Sequence, residues 1–210
     1  MRAEVFRAWI TAAARVIEEQ RDHLTQLDAA IGDADHGINL DRGFTAVLST
    51  IESAAPATPG AVLTLTGTTL ISKVGGASGP LYGMAFRRAG KALGDAADVD
   101  MPGLAGALEA ALAGVQQLGA AREGDKTMVD ALAPATEAFS KAIAEGASDA
   151  DAFAALVEAA QAGAAATISM QALKGRASYL GPRSVGHEDP GAASTTLILG
   201  ALRDATLAGQ

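Results

Sequence analysis

Apolar side chains return every three to four positions along most of this chain, beginning with Phe6, Trp9, Ile10, Ala13, Val16 and Ile17, which share one face of a helix. The same spacing predicts helices near 38–53, 60–74, 81–93, 102–119, 128–145, 149–172 and 192–208, eight with the first. In 149–172 the stripe is clearest, with Phe153, Leu156, Val157, Ala160, Ala164 and Ile168 along one side. Segment 61–70 alternates and is rich in threonine, so a strand competes with the helix there. Pro56, Pro59, Gly60, the run 75–80, Pro102, Gly103, Gly181 and Pro182 separate the helices, but no break is long or polar enough for a linker. The expected architecture is all-α, a single domain over 1–210 forming an eight-helix antiparallel barrel or bundle. Antiparallel neighbours place alternate loops at one end. The loops near 32–37, 75–80, 120–127 and 173–191 should therefore gather together.

Composition narrows the class. A chain of 210 residues buries about 70% of its unfolded surface without staples. Cysteine is absent, which excludes disulfides and thiolate zinc sites. Aromatic residues make up 4%, so the core must be built from aliphatic side chains on closely spaced helices. The net charge of −8 argues against a nucleic-acid partner. Charges at Arg2, Glu4, Arg7, Arg15, Glu18 and Glu19 leave no signal-peptide core, and no uninterrupted apolar run reaches the roughly 18 residues of a membrane span. The expected location is the cytoplasm, with no membrane partner.

Chemistry concentrates in those four loops. Asp28, Asp33 and Asp35 fall within eight residues, between two helical patterns. Aspartates are common at helix ends, and solvated loop carboxylates are the plain alternative. At roughly 4 Å and an effective dielectric of about 20, however, each like-charged pair costs on the order of 4 kcal/mol, which a divalent cation relieves. Magnesium suits oxygen-only ligands that also hold phosphates. An EF-hand is excluded, because counting from Asp33 its sixth and twelfth positions are Ile38 and Phe44. The second loop, Gly75, Gly76, Ala77, Ser78, Gly79 and Pro80, precedes a helix and suits close approach of an anion, although it is not a Walker A loop. In the third, Thr127 or Asp125 could cap the following helix, and Met128 could be core or could lie against an adenine. The fourth is long, carries Arg176 and Arg183, and reads as a lid. His187 within it does not make a zinc site.

Together LDAAIGDADHGINLDRG, GGASGPLYG, GDKTMVDALAPA and MQALKGRASYLGPRSVGHEDPGA resemble, in order and over nearly the whole chain, the nucleotide-binding L subunit of dihydroxyacetone kinase. The resemblance implies an eight-helix barrel with ADP or ATP and two magnesium ions at one end. Asp28, Asp33 and Asp35 would be the metal ligands. His36, Asn39 and Leu40 would lie around the nucleotide, Ala77, Ser78 and Gly79 at its phosphates, and Thr127 and Met128 beside the adenine. Arg176 would act on the terminal phosphate, and the loop from Gly175 through Asp189 to Gly191 would close over it. Ala34 and Pro182 depart from the family pattern at variable positions. The implied partners are a K subunit that holds dihydroxyacetone on its own histidine and an M-type phosphotransferase-system donor that rephosphorylates bound ADP. An ATP-dependent L subunit acting on a related short keto-sugar, or a non-catalytic Mg-nucleotide module acting on a transcription regulator, are the alternatives.

Overall fold

The computed structural model describes residues 1–209. It contains nine α-helices among the described residues: α1 (Ala3–Glu19), α2 (Arg21–Ile31), α3 (His36–Ala54), α4 (Pro59–Lys73), α5 (Ser78–Leu93), α6 (Met101–Gly119), α7 (Val129–Ala144), α8 (Asp149–Ala166) and α9 (Pro190–Ala208). Two 3-10 segments, Thr167–Ser169 and Arg176–Ser184, lie between α8 and α9. Eight helices close a ring in which α1 meets α3, each of α3 to α9 packs on the next, and α9 returns to α1. The remaining helix, α2, rests on α3 and α9. The first helical pattern thus arrives as two helices, parted at Gln20 (φ −100°, ψ 6°), and the bend carries Asp28 to the loop end. The predicted 149–172 helix ends at Ala166 and tightens into the 3-10 turn.

The prolines mark helix starts. Pro59, Pro102 and Pro190 occupy first-turn positions where a missing N–H costs nothing, and the preceding Thr58, Asp100 or a neighbouring Asp189 accepts a backbone N–H at 2.8 to 3.2 Å. Within threonine-rich α4, Thr66, Thr68 and Thr69 donate to carbonyls one turn back at 2.8 to 2.9 Å, which satisfies their hydroxyls inside the helix. Small residues then let its backbone meet that of α5. A Cβ on Gly67 would stand 2.5 Å from Gly83 O, and one on Gly90 would stand 2.6 Å from Gly60 O.

Within the ring the core is aliphatic with two aromatic groups. Trp9 packs on Phe6 and Phe86, which also meets Phe44, and Phe139 pairs with Phe153 at 5.1 Å. Trp9 Nε1 donates to Ile198 O at 2.9 Å, tying α1 to α9. Segment Asp149–Ser169 is long and apolar enough to cross a membrane by length and composition, although Phe153, Leu156, Val157 and Ala160 are buried against α7 and α9.

Candidate functional site

All four chemistry-bearing loops lie at one end of the ring, as alternate connections require. Asp28 projects from α2 and is 8% exposed. Its Oδ2 accepts the backbone N–H of Asp35 at 2.8 Å and of His36 at 3.2 Å, so it caps α3 from a neighbouring helix. A Cβ on Gly32 would overlap the Asp28 carboxylate, so only glycine leaves that side chain its space. Oxygens of Asp28, Asp33 and Asp35 lie within 4.8 Å of one another. Arg176 Nε stands 3.0 Å from Asp33 Oδ2.

Behind the carboxylates lies a buried polar network. His36 Nε2 hydrogen-bonds Ser194 Oγ at 2.8 Å, and Tyr82 Oη contacts Ser194 Oγ at 2.7 Å and Thr195 Oγ1 at 2.9 Å while donating to Gly191 O at 3.1 Å. Burial lowers the His36 pKa to about 4 against the opposing charge of Asp28, so the ring is neutral at pH 7. Burial likewise raises that of Tyr82. The network fixes the start of α3 to α5 and α9.

The third loop is organised by Asp130. Its carboxylate accepts Gly124 N at 2.5 Å and Thr127 N at 2.8 Å. Thr127 Oγ1 accepts Val129 N at 3.1 Å, whereas Asp125 turns back to Arg122 N at 3.0 Å. Of the two caps expected from sequence, Thr127 serves the helix and Asp125 serves its own loop. Pro134 lacks the N–H that would bond the Asp130 carbonyl, and that carbonyl packs on Gly163 of α8, leaving no room for a Cβ.

Lys126 stands between the third and fourth loops, 1% exposed and at φ +61°. Its ammonium donates to Thr167 O at 2.7 Å, to Met170 O at 3.2 Å and to His187 O. Leu173 N donates to Asp125 O at 3.0 Å, Gly186 N to Ile168 O at 2.7 Å and Asp189 N to Thr167 Oγ1 at 3.0 Å. These bonds lock the base of the fourth loop and leave its 174–183 tip carrying Arg176. Burial raises the Asp189 pKa to about 7 although the residue keeps some surface; the Ala192 N–H and Lys126 oppose the rise and Asp130 reinforces it. Burial lowers the pKa of Lys126, with Asp189 opposing.

A cavity of about 280 Å³ opens among these loops. Asp28, Asp33, Asp35, His36, Ala77, Ser78, Thr127, Met128, Gly175, Arg176, Asp189 and Gly191 all line it. Leu40, Gly79 and Asn39 are not among its lining residues. Leu40 is fully buried in the core, and Gly79 packs against Val74. Asn39 lies behind the Gly75 and Gly76 backbone. Met128 is both core and wall, being 5% exposed and facing the cavity. Leu81, Tyr82, Val115 and Lys126 also line it and were not singled out from sequence. Three oxygen donors beside a glycine loop fit a hard divalent cation carrying phosphate. Asn39 Nδ2 agrees, being the one buried side-chain nitrogen or oxygen without a partner among the described residues.

The DAK2 domain model matches residues 30–204. The chain is 41% identical over 191 residues to the ADP-binding subunit DhaL of the PEP-dependent dihydroxyacetone kinase of Escherichia coli, covering 91% of each. It is 40% identical to a DhaL subunit of Listeria innocua, covering 92% of each, and 35% identical to the D-erythrulose kinase of Mycolicibacterium smegmatis, covering 92% of this chain and 34% of that one. The dihydroxyacetone kinase of C. freundii in complex with AMP-PNP and Mg2+ superposes with a TM-score of 0.71 at 28% identity over 94% of this chain, which spans 33% of that longer one. The chain belongs to the DAK2 domain family, whose DhaL members it matches over nearly their full length.

Proposed function

We propose that this chain is the nucleotide-binding, phosphoryl-transfer subunit of a dihydroxyacetone kinase, passing phosphate from a Mg-bound nucleotide to dihydroxyacetone held by a separate K subunit. The observation that carries this reading is the Asp28, Asp33 and Asp35 cluster facing a glycine loop across one cavity. The aspartates would hold magnesium, two ions in the full site, which neutralises phosphate charge during transfer. Ala77 and Ser78 offer the first turn of α5 to phosphate oxygens. Leu81, Val115, Met128 and Val129 form an apolar slot for the purine. Arg176 supplies a positive charge to the transferring group. Asp189 and Gly191 close the wall at the start of α9.

The surface around the mouth supports a divided enzyme. Among the described residues the large apolar side chains left exposed are Ile38, Ile71, Leu118, Ile168, Leu173, Tyr179 and Val185. All lie at the loop end: in the first turn of α3, the last turns of α4 and α6, just past α8, or in the fourth loop. Exposed apolar patches of this kind mark protein contacts. The K subunit would cover this mouth, bringing the sugar, and a phosphotransferase-system donor would reach the same mouth to rephosphorylate ADP in place. These roles and the transfer chemistry fit a cytoplasmic enzyme.

The test is an assay of the isolated chain with Mg-ATP and dihydroxyacetone, repeated with a K-type subunit and then with a phosphoprotein donor. Turnover that requires both additions supports the recycled-ADP form. Turnover with the K subunit and ATP alone moves the chain to the ATP-dependent branch, and the D-erythrulose kinase relative makes short keto-sugars the acceptors to try there. Nucleotide binding with no turnover in any mixture would favour the transcription-regulating module. Robust turnover by the chain alone would overturn the divided enzyme.

A further inference from the structure

Asn39 sits in the first turn of α3, 6% exposed, and its side chain is fixed from one side only. Arg42, one turn on, donates from Nη2 to Asn39 Oδ1 at 2.8 Å. A guanidinium has donors and no acceptor, so the amide can meet it only through oxygen, and the amide nitrogen is turned the other way. The second loop runs over this pair, and Gly76 lies on the nitrogen's side. The Cβ that Gly75 lacks would stand 3.4 Å from Asn39 Oδ1, 3.5 Å from Arg42 Nη2 and 3.6 Å from Asn39 Nδ2, whereas the one that Gly76 lacks would stand 4.0 Å from both Asn39 Nδ2 and Asp35 Oδ1. The unpartnered donor and a metal-site carboxylate therefore flank the same missing side chain. Arg42 itself is exposed and has no ion pair among the described residues, so the bond to Asn39 is the polar contact the structure gives it.

We propose that Arg42 is a positioning residue for the phosphate end of the site: by occupying Asn39 Oδ1 it commits Asn39 Nδ2 to the Gly76 cradle beside Asp35, as a donor that finds its acceptor when the nucleotide phosphates arrive. The inference rests on the nucleotide reading above. It accounts for a buried donor left without a partner, which folding otherwise selects against. It also separates two cations by role. Arg176 approaches the carboxylates from the fourth loop, whereas Arg42 acts through an amide behind the second. Without Arg42 the amide is free to rotate and present oxygen to phosphate oxygens, which repel it.

The experiment is a double-mutant cycle read by calorimetric titration of the whole chain with Mg-ADP. Loss of a hydrogen bond to a charged group predicts that Asn39→Ala binds roughly tenfold to a hundredfold more weakly. Arg42→Met should bind about tenfold more weakly, and Arg42→Lys, which keeps a donor, should recover most of the loss. In the Asn39→Ala background, Arg42→Met should cost less than about twofold, because the residue it acts through is gone. The thermal midpoint without nucleotide should be nearly unchanged in Arg42→Met, which a purely structural role would not give; should that variant fail to fold, Arg42→Leu, which also lacks a donor, carries the same cycle. An undiminished Arg42→Met effect in the Asn39→Ala background would show direct action on phosphate and overturn the proposal, as would full affinity in Arg42→Met. If the unaltered chain does not bind Mg-ADP, the nucleotide reading falls with it; binding by the unaltered chain with an additive cycle removes only the role of Arg42.

Discussion

Arg176 Nε stands 3.0 Å from Asp33 Oδ2, so the cation of the fourth loop is paired with a carboxylate of the aspartate cluster while both remain solvent-accessible. An ion pair so exposed contributes little to stability. Under the proposed function its value lies in place rather than energy, since magnesium held by Asp33 would free the guanidinium for the phosphoryl group. Arg176→Ala should lower turnover on the order of 100-fold or more and change Mg-ADP affinity by less than about threefold, as expected for an interaction made mainly in the transition state. Equal loss in affinity with unchanged turnover would contradict this role.

Asp33→Ala should remove Mg-dependent nucleotide binding and leave the helical signal intact, because Asp33 lies in a loop and accepts no capping N–H. For the unaltered chain, Mg-ADP at about 100 times Kd should add roughly 2.7 kcal/mol of stability. Thermal unfolding with and without EDTA measures both effects, and a nucleotide-dependent gain surviving in Asp33→Ala would exclude the site.

Tyr179 is 87% exposed at the tip of the fourth loop. Tyrosines are frequent anchors at protein contacts. Tyr179→Ser should raise the K subunit concentration needed for half-maximal turnover about tenfold, with Mg-ADP affinity unchanged. Unaltered dependence on the K subunit would remove this side chain from the contact.

Lys126→Met would leave three carbonyls without their ammonium. Each buried acceptor stripped of its partner costs about 1–3 kcal/mol. Hydrogen exchange should rise across 167–189, more than across α4 and α5. A uniform rise over the whole chain would mean that the lysine supports the ring rather than the base of the loop.

The Asp189 carboxyl titrates near its ordinary 3.8 when unfolded and at about 7 when folded. Between those values the folded chain holds the extra proton, so this contribution to stability is fully present below about pH 4 and is lost as pH rises toward 7. Lys126 and Asp130 are the charged groups that face it. Asn keeps the capping oxygen and has no proton to lose. The thermal midpoint of Asp189→Asn should therefore gain on that of the unaltered chain from about pH 5 to about pH 8, without nucleotide. A constant difference would refute the shift.

Helical spacing and proline placement carried most of the architecture, because burial on one face leaves a periodic trace and Pro190 or Pro59 can begin a helix but not continue one. Gln20 left no such trace: neither glycine nor proline marks the bend, which arises because α2 packs across α3. The aspartate cluster was legible because its members are close in sequence. Lys126 was not, since a lysine between Asp125 and Thr127 reads as solvated until the fourth loop folds over it. Asn39 was expected around the nucleotide only through the family resemblance, and its direction depends on Arg42 and on a loop thirty-six residues away, which periodicity does not encode.

The glycine contacts between α4 and α5 bear on how far the second loop can move. Gly67 against Gly83 and Gly60 against Gly90 seat backbone directly on backbone, with Thr64, Ile71 and Arg87 packed close beside these contacts, so the two helices have little room to slide. The connection from Val74 to Ala77 is thus strung between two ends held at fixed separation. Only four residues are left to reorganise around a ligand, and the conformational entropy that ordering them would surrender, about 1–2 kcal/mol per residue, is correspondingly small.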